Sequence, residues 1–257
     1  MASVLNTLRD TVTMTGRTLK HSLRNADTIT TVVVMPLFIM AMFVYIFGSS
    51  IKTGSLDYVN YIVPGIVLMC IANGAAYAAF RLNNDITKGI INRFRTMPIA
   101  KSAVLGGHVV SSTLFSLISA VVVFGAAMLM GFHPGASVEQ WALVGLLLFI
   151  VSLGMSWLSM VFGLLAKSAE GASAFSYVLL LMIFLSSAFA PTSGMNSIVR
   201  FVAEHQPMTP VLDAMRALLA GTTPGQTVVQ SLIWTVGLLV VSYILAMWVY
   251  ARRSVRG

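Results

Sequence analysis

Charge is scarce in this chain. Only 9% of its 257 residues are Asp, Glu, Lys or Arg, against about 25% in an average soluble domain, while 57% are hydrophobic and the mean hydropathy is +0.87. That excludes a soluble globular domain and defines an integral membrane protein. Cys70 is the single cysteine, so no intrachain disulfide forms; lying inside an apolar run, it reads as a small buried thiol. No GxxxxGK[ST] loop occurs, so the chain does not by itself hydrolyse a nucleotide in the P-loop manner. His21, His108, His133 and His205 lack metal-ligand spacing, and no HExxH is present. Serines crowd two of the later apolar runs (Ser152, Ser156, Ser159, Ser173, Ser176, Ser186, Ser187). With His108 as the one possible base on a neighbouring run, they read as interhelical bonding groups and not as nucleophiles. Carboxylates are absent from the apolar runs, which removes the usual coupling site of an ion-driven carrier. With no internal repeat, low-complexity tract or separate soluble stretch, residues 1–257 read as one transmembrane bundle.

What is present is a basic excess, net +8 with a pI near 10.0. The Lys and Arg residues sit at the ends of apolar runs and not in one patch, so they speak of membrane orientation and not of nucleic acid. Six runs reach the roughly 20 residues needed to cross about 30 Å of hydrocarbon, at about 29–48, 59–80, 103–130, 140–165, 172–190 and 228–250. Pro36 and Pro64 fall inside the first two and predict mild kinks there. Counting Lys and Arg on either side of six spans gives thirteen against three, which puts both termini in the cytoplasm. All eight acidic residues fall outside those spans.

Three polar stretches punctuate the spans. The leader, within residues 1–27, places Val4, Leu5, Leu8, Val12, Leu19 and Leu23 on one helical face and Arg9, Arg17, Lys20 and Arg24 on the adjoining one, the pattern of a helix lying flat at a membrane interface. The alternative is a solvated leader; a cleaved signal peptide does not fit the long run that follows. The segment 81–101, RLNNDITKGIINRFRTMPIAK, reads as a short cytoplasmic amphipathic helix. Asp85 would lie near its start, Ile86, Ile90, Phe94 and Met97 along one side, and Pro98 would end it. Residues 191–225 hold two apolar pieces too short to cross, about 195–203 and 211–220, separated by Pro207 and Pro210. Thr209 is placed to cap the second piece and Gly221 to end it, and the pairs Arg200–Glu204 and Asp213–Arg216 have helical ion-pair spacing. A re-entrant hairpin on the outer side is expected; the alternative is an amphipathic loop resting on the headgroups. Asn73, beside Gly74 in the second span, is either an interhelical hydrogen-bonding residue or a substrate contact. The sixteen methionines either fill the bundle or line an adaptable cavity.

FVYIFGSSI, NYIVPGIVLM, DITKGIINRFRTMPIAKSAVLGGH, FLSSAFAPTSGM and AEHQPMTPVLDAMRALLAG occur in that order at the expected places in the topology. On these stretches the chain resembles, over nearly its full length, the permease subunit of type-2 ATP-binding-cassette exporters, in particular the daunorubicin-resistance group. The resemblance implies an all-α fold of six transmembrane helices and a transport subunit with no catalytic residue or metal of its own. It implies that Asp85, Gly89, Arg93, Phe94, Arg95 and Pro98 form a coupling helix docking on a separate ATPase, which binds the ATP and Mg2+. It likewise implies that the leader is an interface helix, that Pro191, Pro207, Pro210, Asp213 and Arg216 belong to an outer element closing the pathway, and that two permease chains assemble with two ATPase subunits in the bacterial cell membrane. Export of an amphipathic drug, antibiotic or lipid-like molecule is the expectation. The alternatives are a polysaccharide or teichoic-acid exporter of the same family and an ion-coupled carrier.

Overall fold

The computed structural model describes residues 13, 15–20, 22–48, 50–51, 56–89, 101–222 and 225–255, and among these every regular element is a helix. Five helices are long and apolar enough to cross a membrane. They are α1 (Ala26–Phe47), α2 (Tyr58–Thr87), α3 (Lys101–Leu129), α4 (Val138–Leu165) and α9 (Gln226–Val255). Where a sixth was expected, over 172–190, the chain forms α5 (Ala169–Ser173) and α6 (Phe175–Phe184). At about 1.5 Å per residue, Ala169–Phe184 falls short of a hydrocarbon core of about 30 Å. Two short helices follow, α7 (Ser197–His205) and α8 (Met208–Leu219), over the two short apolar pieces of 191–225.

The bundle is built around α2. Nine-tenths of its most apolar stretch (94%) is buried, against 17% for α1 and 22% for α9, so α2 is the axis and the other two are periphery. Helices α3, α4, α5 and α6 pack directly along it, α8 covers its start, and α9 leans on α4. In lipid this packing gains little from the hydrophobic effect, because tails are as apolar as side chains; close approach and hydrogen bonds must hold the helices. Gly163 shows the first. A Cβ there would lie 2.8 Å from the Ala79 carbonyl oxygen, so only glycine lets α4 approach α2 this closely. Asn83 shows the second: its Nδ2 donates to the Gly163 and Ala166 carbonyls at 3.0 and 2.8 Å, closing the end of α4 onto α2.

Local chemistry sets the helix ends. Ser137 and Gln140 form a reciprocal capping box at the start of α4, worth about 1 kcal/mol. A π-turn over Thr30–Val34 ends two residues before Pro36, so the missing donor falls in the first turn of the next α-helical stretch of α1. Pro64 removes the donor that would serve Asn60; the next carbonyl, Tyr61, accepts from Arg216 on α8.

One expectation is corrected at the far end of α2. Arg81 and Asp85 do not begin a separate helix: α2 runs unbroken through RLNNDIT, because that stretch contains no glycine or proline to stop it. Its first breaker is Gly89, whose φ of +69° gives the left-handed turn that ends many helices. Asp85 therefore lies in the last turn of α2 and not in a first turn. Residues 90–100, with Arg93, Phe94, Arg95 and Pro98, lie outside the described residues.

Candidate functional site

Polar side chains gather at both ends of α2, each around one arginine. At the hairpin end, Arg216 of α8 is buried (8% exposed) and its guanidinium spends all five N–H donors. Nε donates to the Tyr61 carbonyl at 3.0 Å. One terminal nitrogen donates to Ser187 Oγ and Asp213 Oδ1, both at 2.9 Å, and the other to the Ser187 and Ala188 carbonyls at 2.6 and 3.3 Å. The guanidinium carbon also stands 3.7 Å from the centre of the Tyr61 ring, a close cation–π contact.

These bonds explain why α6 ends early. Its chain unwinds over 185–190, and the carbonyls released there are taken by donors from other helices. Arg216 takes Ser187 and Ala188, Tyr61 Oη donates to Ser187 at 2.8 Å, and Tyr58 Oη donates to Phe189 at 3.0 Å. Thr209 is not the cap of α8, which begins after Pro207. Its hydroxyl donates to the Ala203 carbonyl and accepts from Ser187 N–H, stitching α7, α8 and the 185–190 turn together. Pro210 lies in the first turn of α8, Pro191 opens a short 3-10 turn, and Gly221 follows α8 with φ +76°.

The expected pairs at helical spacing are present. Arg200 donates to Glu204 at 2.7 Å on exposed α7, and this bond holds the Glu204 carboxyl below the usual carboxylate range. Asp213 pairs with Arg216 at 2.9 Å; the arginine is buried in the hairpin contact, while the Asp213 side chain remains half-exposed at its edge.

At the other end of α2, Arg81 is half-buried. It donates to Ser22 Oγ and, at 3.0 Å, to the Thr18 carbonyl of the helical residues 15–20 and 22–24. Asp85 accepts from His108 Nε2 of α3 at 3.3 Å. The N-terminal helical residues turn a hydroxyl face to the bundle: Thr15 and Ser22 are buried, whereas Arg17, Lys20, Arg24 and Leu23 are exposed. Arg9 lies outside the described residues. Sequence reasoning followed the Leu and Arg faces and missed the Thr15, Thr18, Ser22 row, which was visible as hydroxyls spaced three and four apart. Asn73 donates to the Thr31 carbonyl of α1 at 3.4 Å, an interhelical contact, and Cys70 is buried.

The arrangement is that of a multi-pass helical membrane bundle with its ionic groups confined to the two ends and no group of three or more metal-ligating side chains among the described residues. Comparison with known proteins narrows this. Residues 9–220 match the ABC-2 type transporter family, and the chain belongs to it. It is 27% identical over 224 residues to the daunorubicin resistance ABC transporter permease protein DrrB1 of Streptomyces coeruleorubidus, covering 87% of this chain and 79% of that one. It is 24% identical over 237 residues to the probable doxorubicin resistance ABC transporter permease protein DrrC of Mycobacterium tuberculosis, covering 90% and 84%. A putative transport permease, ycf38 of Porphyra purpurea, is 24% identical over 204 residues, covering 77% and 70%.

Proposed function

We propose that this chain is the membrane subunit of an ATP-driven exporter that moves an amphipathic drug, antibiotic or lipid-like molecule out of the cytoplasm or inner leaflet. The observation that carries the reading is the family match over residues 9–220, with relatives named as drug-resistance permeases over most of both chains. ATP and Mg2+ belong to a separate ATPase, two copies of which engage two permease chains, as a homodimer with both termini cytoplasmic. The hairpin α7–α8, within residues 191–225, is the outer element that closes the pathway, and the leader, within 1–27, lies at the inner interface.

In this mechanism nucleotide binding draws the ATPases together and loads the segment from Asp85 to Pro98, shifting the spans so that a path between the two chains opens outward. The fold supports that route. Asp85 sits at the end of α2, the helix that most others pack against, and is tied to α3 through His108, so force applied there reaches the whole bundle. Coupling of this kind requires nucleotide to bind the two transporter conformations unequally.

The test is Arg93→Glu with Arg95→Glu in the assembled complex. Substrate-stimulated ATPase should fall by about tenfold or more, as expected when close charge pairs at an interface are reversed. Unaltered assembly and stimulation would remove the docking role. Pro207→Ala with Pro210→Ala should depress export while leaving ATPase association intact, and loss of association would place the hairpin on the wrong side.

A further inference from the structure

Beyond the export reading, the Arg81 end of α2 holds a small recess that the helix packing does not use up. Its mouth is formed by half-buried Thr18, Tyr77 and Arg81, and its floor by buried His108 and Ser111 of α3, with a cavity volume of about 10 Å³. That admits one water-sized atom. Two buried polar atoms at the floor, His108 Nδ1 and Ser111 Oγ, have no hydrogen-bond partner. Arg81 donates only to Ser22 and Thr18, leaving three of its five N–H groups free of protein acceptors among the described residues. Nor does a carboxylate pair with it among those residues, since Asp85 Oδ2 is engaged by His108 Nε2. An arginine with unused donors and, among those residues, no carboxylate within ion-pair distance, beside an orphaned buried hydroxyl, makes a site able to take an anion.

We propose that this recess takes one anionic oxygen of a phospholipid headgroup, with Arg81 as the cation and Ser111 Oγ as the donor at the floor. A water would satisfy the floor but not the charge. Only one oxygen fits, so the rest of the phosphodiester stays at the mouth, beside a membrane-length helix and the exposed Leu23, where acyl chains anchor it. Lipid thereby holds the N-terminal helix against α2 at the point where Arg81 already grips it.

The experiment follows thermal unfolding of the full chain in detergent, titrated with phosphatidylglycerol, phosphatidylcholine or inorganic phosphate. Phosphatidylglycerol should raise Tm saturably. Phosphatidylcholine, whose own cation opposes Arg81, and inorganic phosphate, which has no anchor, should do so far less. The midpoint should weaken about tenfold in Arg81→Gln, as for loss of a charge-assisted bond. Ser111→Ala removes a hydroxyl that bonds nothing in the empty recess, so it should fold normally and weaken the midpoint about threefold. Equal shifts with phosphatidylcholine would mean lipid acts on the apolar surface alone, and equal shifts with inorganic phosphate would make this a free-anion site. Unchanged midpoints in both variants would leave the recess with a bound water only. Each of these three results overturns the proposal.

Discussion

Each end of α2 meets one arginine, Arg216 from α8 and its own Arg81, and the two are used differently. Arg216 satisfies all five donors within the protein, stacks on Tyr61 and takes the Ser187 and Ala188 carbonyls of the unwound turn. Arg81 makes two hydrogen bonds to one neighbouring helix and faces a recess with unsatisfied atoms. A saturated guanidinium is a fastener, because any movement of its neighbours breaks several bonds at once. An unsaturated one can exchange partners, which suits the end of the molecule next to the segment proposed to meet the ATPase.

Substitution separates the two roles. Arg216→Met should destabilise the protein most, by about 2–4 kcal/mol, because it removes five hydrogen bonds at once and leaves the Ala188 carbonyl without its donor; thermal unfolding in detergent measures it. Arg81→Gln should cost less, about 1–2 kcal/mol in the same assay without added lipid, since Ser22 and Thr18 retain other partners. Equal losses would erase the distinction between fastener and exchangeable contact. Tyr61→Phe keeps the ring under Arg216 and deletes only the hydroxyl bond to Ser187, so about 0.5–1.5 kcal/mol is expected.

The smallest effect is at exposed Arg200–Glu204. Glu204 is held below its ordinary range in the folded chain, so its contribution is present above the unfolded carboxylate range and disappears as pH falls through the lowered folded value. The Tm difference between wild type and Glu204→Gln should therefore be slight at neutral pH and vanish in acid.

Much of the bundle was legible from hydropathy alone. The runs at 29–48, 59–80, 103–130, 140–165 and 228–250 became α1, α2, α3, α4 and α9, because a membrane-length apolar run leaves the backbone no alternative to a helix. The run at 172–190 misled for a tertiary reason. FLSSAF is apolar enough to continue a helix, but Tyr58, Tyr61 and Arg216, distant in sequence, supply donors that let its carbonyls leave the helical ladder. The spacing of Asp213 and Arg216 gave their pairing and not the burial of Arg216, which depends on α2 and the 185–190 turn. Arg81 and Asp85 were read by polarity as opening a separate helix, whereas the absence of a breaker before Gly89 keeps both on α2.

The unwound stretch after α6 has a consequence for biogenesis. Tyr58 and Tyr61 precede it in the chain, but the Ala188 carbonyl is matched only when Arg216 arrives, so while the nascent chain is emerging this region is an unfinished hairpin with an exposed acceptor in a greasy setting. Insertion machinery must shelter it until translation has delivered α8, and a polypeptide cut short before that point would offer quality-control proteases an obvious flaw.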